Sequence, residues 1–170
     1  MDIAAHIGIR QLIARYSDAV WRQDMDSFAD CWSPGGEWRM MGAAMTGREA
    51  IVAGARASMA DFASAWQTTH NVFIEPAGDT ARGRLYVEEF ITAKDGAALF
   101  SRGIYHDDYV QEDGEWRFAR RHYDLVYFGP PDFSGRMFPT VAYGPPPVDP
   151  DPARSASPSQ DEFLQVPDKS

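Results

Sequence analysis

Apolar positions in the first part of the chain recur with a helical period. Ile7, Ile9, Leu12, Ile13, Tyr16, Ala19 and Val20 fall on one stripe. That spacing predicts a first helix of about four turns, with Arg10 and Arg15 toward water. Asp18 and Trp21, three residues apart, are neighbours on one flank of it. Asp24 precedes residues 25–32 as the N-cap of a second, short helix. Residues 33–36 (Ser-Pro-Gly-Gly) read as a turn and residues 37–41 as a strand. Thr46 is placed to cap a third helix running to about Ser58, with Ile51, Val52 and Met59 inward.

Further along, the period drops to two. Trp66, Thr68, His70, Val72 and Ile74 alternate with Gln67, Thr69, Asn71 and Phe73. The first set is the more apolar, so it is expected to turn inward and carry His70 with it. A turn at residues 75–79 leads to a strand over 80–93. One of its faces holds Ala81, Gly83, Leu85, Val87, Glu89 and Ile91, apolar apart from Glu89. An acid is therefore expected inside the protein. Lys94-Asp95-Gly96 is a hairpin turn. Residues 99–111 form the next strand, 112–115 a turn and 116–128 the last long strand. Helices followed by a meander of long antiparallel strands make an α+β fold, with helices packed on one curved sheet.

Composition narrows the classes. A chain of 170 residues with 44% apolar and 13% aromatic content suits one globular domain. A net charge of −9, with no basic run, argues against nucleic acid or an anionic membrane as partner. No stretch approaches the roughly twenty apolar residues of a membrane span, and the N-terminus lacks a signal-peptide pattern. Cys31 is the sole cysteine, which rules out an intrachain disulfide and thiolate zinc sites. A cytoplasmic setting is expected. Residues 1–128 form the folded unit. Residues 129–144 are aromatic and broken by Pro and Gly, and are expected to cover the mouth of the fold or a partner subunit. Residues 145–170 hold seven of the twelve prolines and five acids against two bases. This tail is expected to be extended or disordered, with Phe163, Leu164 and Val166 as a small docking patch.

Ile9-Arg10-Gln11-Leu12-Ile13-Ala14-Arg15-Tyr16 and Phe28-Ala29-Asp30-Cys31-Trp32 resemble the opening helices of the nuclear-transport-factor-like superfamily. Thr46-Gly47-Arg48-Glu49-Ala50-Ile51, Thr69-His70-Asn71-Val72, Tyr105-His106-Asp107-Asp108-Tyr109 and Asp113-Gly114-Glu115-Trp116-Arg117-Phe118 extend the likeness over about residues 5–125. It is similar to the SnoaL-like and scytalone-dehydratase-like branch. That resemblance implies a cystatin-like α+β cone and a homodimer or homotrimer. The superfamily includes dehydratases, isomerases, cyclases, dehydrochlorinases, lyases that release a small carbonyl, and proteins without catalysis. His70 falls on the catalytic histidine of scytalone dehydratase. The aspartate that partners it is Trp21 here, the tyrosine before that aspartate is Val20, and the first-strand tyrosine falls near Met40. Gly103 and Tyr105 stand at its serine and asparagine, and Ile91 near its second histidine. Scytalone itself is therefore not expected as substrate.

The chemistry can be rebuilt from residues that are present. A neutral imidazole takes a proton near pH 7, and a carboxylate beside it holds the ring. Asp18, one helical turn before Trp21, and Glu89, on a neighbouring strand, both remain candidates for that carboxylate. Burial would raise such a group's pKa and a nearby Arg120 or Arg121 would lower it. Tyr105 is a candidate donor to a developing oxyanion. Tyr16, Trp21, Trp38, Met40, Trp66 and Asp107 are expected around the substrate, and the tryptophans favour a flat compound. His70, Glu89, Asp107 and His122 are the candidate metal ligands, but no recognised ligand spacing links them. No metal and no cofactor is expected. On the sheet's other face, Phe73, Arg82, Arg84, Tyr86 and Phe90 have the composition of a subunit interface. The expected function is a cofactor-independent lyase acting by proton transfer on a small, mostly apolar aromatic compound, with loss of water or of a small carbonyl such as formaldehyde. The alternatives are an isomerase or cyclase of a steroid- or polyketide-like substrate, or a non-catalytic ligand-binding or oligomerisation module.

Overall fold

A computed structural model describes residues 2–138. The proposed tail over 145–170 and residues 139–144 of the extension lie outside the described residues. Three helices come first: α1 (Ile3–Arg22), α2 (Met25–Asp30) and, after two short strands, α3 (Arg48–Ser58). Asp2 caps α1 by accepting from Ala5 N at 3.0 Å, and Asp24 caps α2 by accepting from Ser27 N at 3.0 Å. The third helix starts at Gly47, with no side-chain cap, rather than at Thr46. Ile9, Leu12, Ile13, Tyr16, Ala19 and Val20 are buried along α1 as the stripe predicts, whereas Ile7 lies in water.

The strands are β1 (Trp32–Met40), β2 (Ala43–Thr46), β3 (Phe62–Ala77), β4 (Thr80–Ala93), β5 (Ala98–Glu112), β6 (Glu115–Gly129) and β7 (Arg136–Met137). They form one sheet in the order β2-β1-β6-β5-β4-β3, with β7 added on β6. All pairings are antiparallel except β1 with β6. The expected α+β architecture, helices on a curved and mostly antiparallel sheet, is therefore present. Residues 33–36, expected as a free turn, instead lie inside β1 as a bulge. Trp32 pairs with Phe118, and the next pair is Glu37 with Arg120. Two-residue turns close two hairpins, with positive φ at Met41 and Gly42 and again at Asp113 and Gly114. Those dihedrals match the right-handed twist of the strands they join.

The core lies between the helices and the concave face of the sheet. Tyr16, Phe28, Trp32, Trp38 and Phe118 interlock there with ring centroids 5.2–6.3 Å apart. Ala81, Leu85, Val87 and Ile91 of β4 are buried on this concave side, as their alternation predicts. The prediction for β3 fails over its first half. Ala65 is buried and Gln67 faces the concavity, while Trp66 and His70 are exposed. The cause is a bulge: His70 pairs with Tyr86 and Phe73 with Arg84, so two residues of β3 oppose Leu85 alone. Asn71 adopts φ +40 there, a conformation that asparagine tolerates. The extra residue reverses the alternation, so Val72 and Ile74 do turn inward. One uninterrupted period through residues 66–74 thus merges two half-strands with opposite faces.

Candidate active site

The concave face encloses a cavity of about 100 Å³ between α1, α3 and the sheet. Its polar end is built by a cross-strand row. Gln67 on β3 pairs with Glu89 on β4, and Glu89 pairs with Ser101 on β5. Side chains directly opposite on one face stand within reach of each other. Gln67 Nε2 donates to Glu89 Oε1 at 3.0 Å, and Ser17 of α1 donates its hydroxyl to Gln67 Oε1 at 3.0 Å. That second bond orients the amide, leaving its NH₂ to face the carboxylate. Ser101 faces Glu89 across the strand pair and favours its ionised form, and its hydroxyl lies 2.6 Å from Tyr123 OH. Gly103 makes this last contact possible. A Cβ at that position would meet the Tyr123 ring at 2.1 Å, so only glycine lets the ring lean across the strand to Ser101.

Tyr16 and Tyr105 complete the polar end. Their hydroxyls are near neighbours, and Gln67 Nε2 lies 3.5 Å from Tyr105 OH. Val20, Phe28, Trp38, Met40, Met41, Ala55, Met59, Phe62, Ala65, Ile91 and Phe128 make the remaining wall, apart from Ser58. Burial in this setting raises the pKa of Glu89 above the ordinary carboxylate value, against the lowering effect of hydrogen bonds from Gln67 and Ser101. Burial likewise pushes the Tyr16 phenol up to about 12, with the Arg121 cation opposing it. Among the described residues, Glu89 is the sole carboxyl lining the cavity, and no arginine, lysine or histidine lines it.

Behind the two tyrosines sits a closed ion pair. Arg121 donates to both oxygens of Asp107 at 2.8 Å, with almost nothing of either side chain exposed, and Tyr109 donates to Asp107 at 2.8 Å. The guanidinium lies 3.9 Å from the ring centroids of Tyr105 and Phe118 and 4.4 Å from that of Tyr16. Asp107 is therefore a core anchor rather than a substrate contact. Three donated bonds engage both of its oxygens.

Several expected site residues stand elsewhere. His70 is on the convex face, its side chain 47% exposed, with Nε2 3.4 Å from Glu88 Oε2. Glu88 in turn accepts two bonds from Arg102. The His70–Glu89 dyad does not form, because the bulge at Asn71 puts the two residues on opposite faces. Asp18 lies on the solvent side of α1, paired with Arg22 at 2.8 Å. Trp21 and Trp66 stack edge-on at 4.7 Å outside the cavity, both about half exposed. Tyr16, Trp38, Met40, Glu89 and Tyr105 do line it. Gln67, Ser101 and Tyr123 were not foreseen. Ser101 shares the inward alternation of Tyr105, which could have flagged it. Gln67 was lost with the inverted face of β3. Among the described residues, no group of three His, Cys, Asp or Glu side chains is arranged to hold a metal ion. Nor is any described helix long and apolar enough to cross a membrane.

A family model described as a SnoaL-like domain matches residues 2–122. No curated protein matches the chain. Among solved structures, a Mycobacterium tuberculosis protein of unknown function is 28% identical, with a TM-score of 0.65 over 71% of each chain. A scytalone-dehydratase-like protein from Novosphingobium aromaticivorans is 20% identical, with a TM-score of 0.72 over 80% of this chain and 92% of its own. A LinA-type3 hexachlorocyclohexane dehydrochlorinase from Novosphingobium barchaimii is 20% identical, with a TM-score of 0.69 over 82% of this chain and 97% of its own. The last two share the fold with this chain.

Proposed function

The chain belongs to the SnoaL-like domain family, and we propose that it is a cofactor-independent lyase or isomerase that moves a proton at Glu89 on a small, mostly apolar aromatic compound. The observation that carries this reading is a lone carboxyl in an apolar cavity, held by Gln67 and Ser101 beside the hydroxyls of Tyr16 and Tyr105. A raised pKa makes the ionised carboxylate a stronger base than one in water. In a dehydration, Glu89 takes a proton from a substrate carbon while the adjacent C–O bond breaks. The departing hydroxide then recovers that proton and leaves as water. In release of a small carbonyl, Glu89 takes the proton of a substrate hydroxyl as the neighbouring C–C bond breaks, and returns it to the ring carbon. The phenolic donors stand where negative charge on a substrate oxygen would be stabilised. Substitution of the base in such a step costs about 10²–10⁴-fold.

Neither His70 nor Asp18 enters this mechanism, since neither reaches the cavity. The volume of about 100 Å³ also disfavours the steroid- or polyketide-sized alternative. Self-association through the convex face is part of the same proposal, supported by the exposed Phe73 and Phe90 beside arginines. The test is a turnover screen of small aromatic hydroxy and carbonyl compounds, with products followed by NMR. Product formed by the natural chain and lost in Glu89→Gln supports the proposal. No turnover of any compound, with the cavity intact, favours a binding module instead.

A further inference from the structure

The cavity's size, charge and spare hydrogen-bonding capacity together describe what it takes. Resting on the reading of Glu89 as the proton carrier, we propose that the ligand is an uncharged single-ring compound bearing one hydroxyl or carbonyl oxygen, and that the site rejects anions and fused rings.

Size sets the first limit. An apolar cavity of roughly 150 Å³ holds one benzene ring, and this one has about 100 Å³. Met40, Met41 and Met59 line it and are only partly buried. Unbranched thioether side chains adapt to irregular shapes, so they can make the small difference that one ring needs. A fused second ring requires far more. It would have to displace Phe28 or Trp38, which are locked into the aromatic core at 5.9 Å from each other.

Charge sets the second. Among the described residues no cationic side chain lines the cavity, and the buried cation Arg121 is screened by the Tyr16 and Tyr105 rings and already paired with Asp107. An anionic ligand would find only Glu89. Two like charges about 4 Å apart at an effective dielectric near 20 repel enough to cost about a thousandfold in affinity. A protonated amine would pair with Glu89 and occupy the base itself.

Hydrogen bonding supplies the oxygen. Tyr16 and Tyr105 hold two hydroxyl protons between them. At most one of them is used between the two rings, and Arg121 and Gln67 approach the pair only as donors. Whichever tyrosine donates, one phenolic proton has no acceptor among the described residues. Both side chains line the cavity. A buried donor without a partner is costly, and a ligand hydroxyl or carbonyl oxygen would satisfy it. Such an oxygen would then lie at the same end as Glu89.

Binding separates this inference from the reaction. The full chain at pH 7.5 is titrated calorimetrically with phenol, toluene, benzoate and 1-naphthol. Phenol is expected to bind one per chain, with benzoate and 1-naphthol at least about a hundredfold weaker. Combining Tyr16→Phe with Tyr105→Phe removes both hydroxyl protons; the pair should weaken phenol about tenfold and leave toluene unchanged. Benzoate or 1-naphthol binding as tightly as phenol, or no binding of phenol at millimolar concentration, would each overturn the inference. A chain that binds phenol yet turns nothing over would sink the proton-transfer reading alone. A chain that turns over an anion through Glu89 would sink this one alone.

Discussion

Gln67 and Glu89 face each other across two strands, with the amide nitrogen 3.0 Å from the carboxylate. Ser17 fixes the other end of the amide, so Gln67 favours the ionised form of Glu89. Gln67→Leu removes that donor and keeps the bulk. The acid limb of the pH–rate profile should then move upward, with about a tenfold loss near neutrality. A rate profile measured from pH 4 to 9 checks this, since a merely structural role would change the amplitude without moving the limb.

The pH dependence of the natural chain follows from the same burial. Glu89 has to be ionised to act as a base, and its pKa is raised. The acid limb of kcat/KM should therefore lie above the ordinary glutamate range, near 4.5. Steady-state rates against pH give it directly. A limb at or below that range would contradict a buried base.

Asp124 gives a stability prediction of known sign. Burial raises its carboxyl from 3.8 to about 6, and Oδ2 has no hydrogen-bond partner among the described residues. A raised acid contributes stability that is fully present below the unfolded pKa and lost as pH rises through the folded one. Asp124→Asn should therefore stabilise the fold by about 1 kcal/mol above pH 7. The gain should fade between about pH 6 and 4. Urea unfolding at pH 4 and pH 8 tests it.

Arg121 and Asp107 should behave as one unit. Arg121→Met leaves a fully buried carboxylate without its partner and should cost about 3–5 kcal/mol. Adding Asp107→Leu to that variant should recover much of the loss, because no charge is then stranded. Denaturant unfolding of the single and double variants separates a paired anchor from two independent contributions.

His70→Ala should leave turnover within about twofold of the natural chain, because the ring sits on the convex face with Glu88. Activity of the purified variant is the measurement, and a loss of 10²-fold or more would return His70 to the mechanism.

What the sequence made legible follows from how each feature is encoded. The stripe of α1, the caps at Asp24 and the alternation of β4 are local patterns, and each appears where it was expected. Glu89 was legible for that reason, as the one acid in an apolar alternation. His70 was misplaced because a bulge changes the face of a strand without changing its composition, and Asn71 is an ordinary residue until its φ is known. Trp21 is placed by the likeness of its position to a related site, and Trp66 by the same alternation that misplaces His70. Here they pair with each other outside the cavity. Tyr123 reaches Ser101 across Gly103, a relation between residues twenty or more apart that no local pattern carries.

The role of Glu89 is tested most directly by exchange of solvent deuterium into a single-ring ketone, such as 2-cyclohexenone, followed by proton NMR. Exchange next to the carbonyl isolates the proton-transfer step from any later bond breaking. The natural chain and His70→Ala should both catalyse it, and Glu89→Gln should be slower by at least about 10²-fold while remaining folded. Equal exchange by the natural chain and Glu89→Gln, or loss of exchange in His70→Ala alone, would contradict the assignment of Glu89 as the proton carrier.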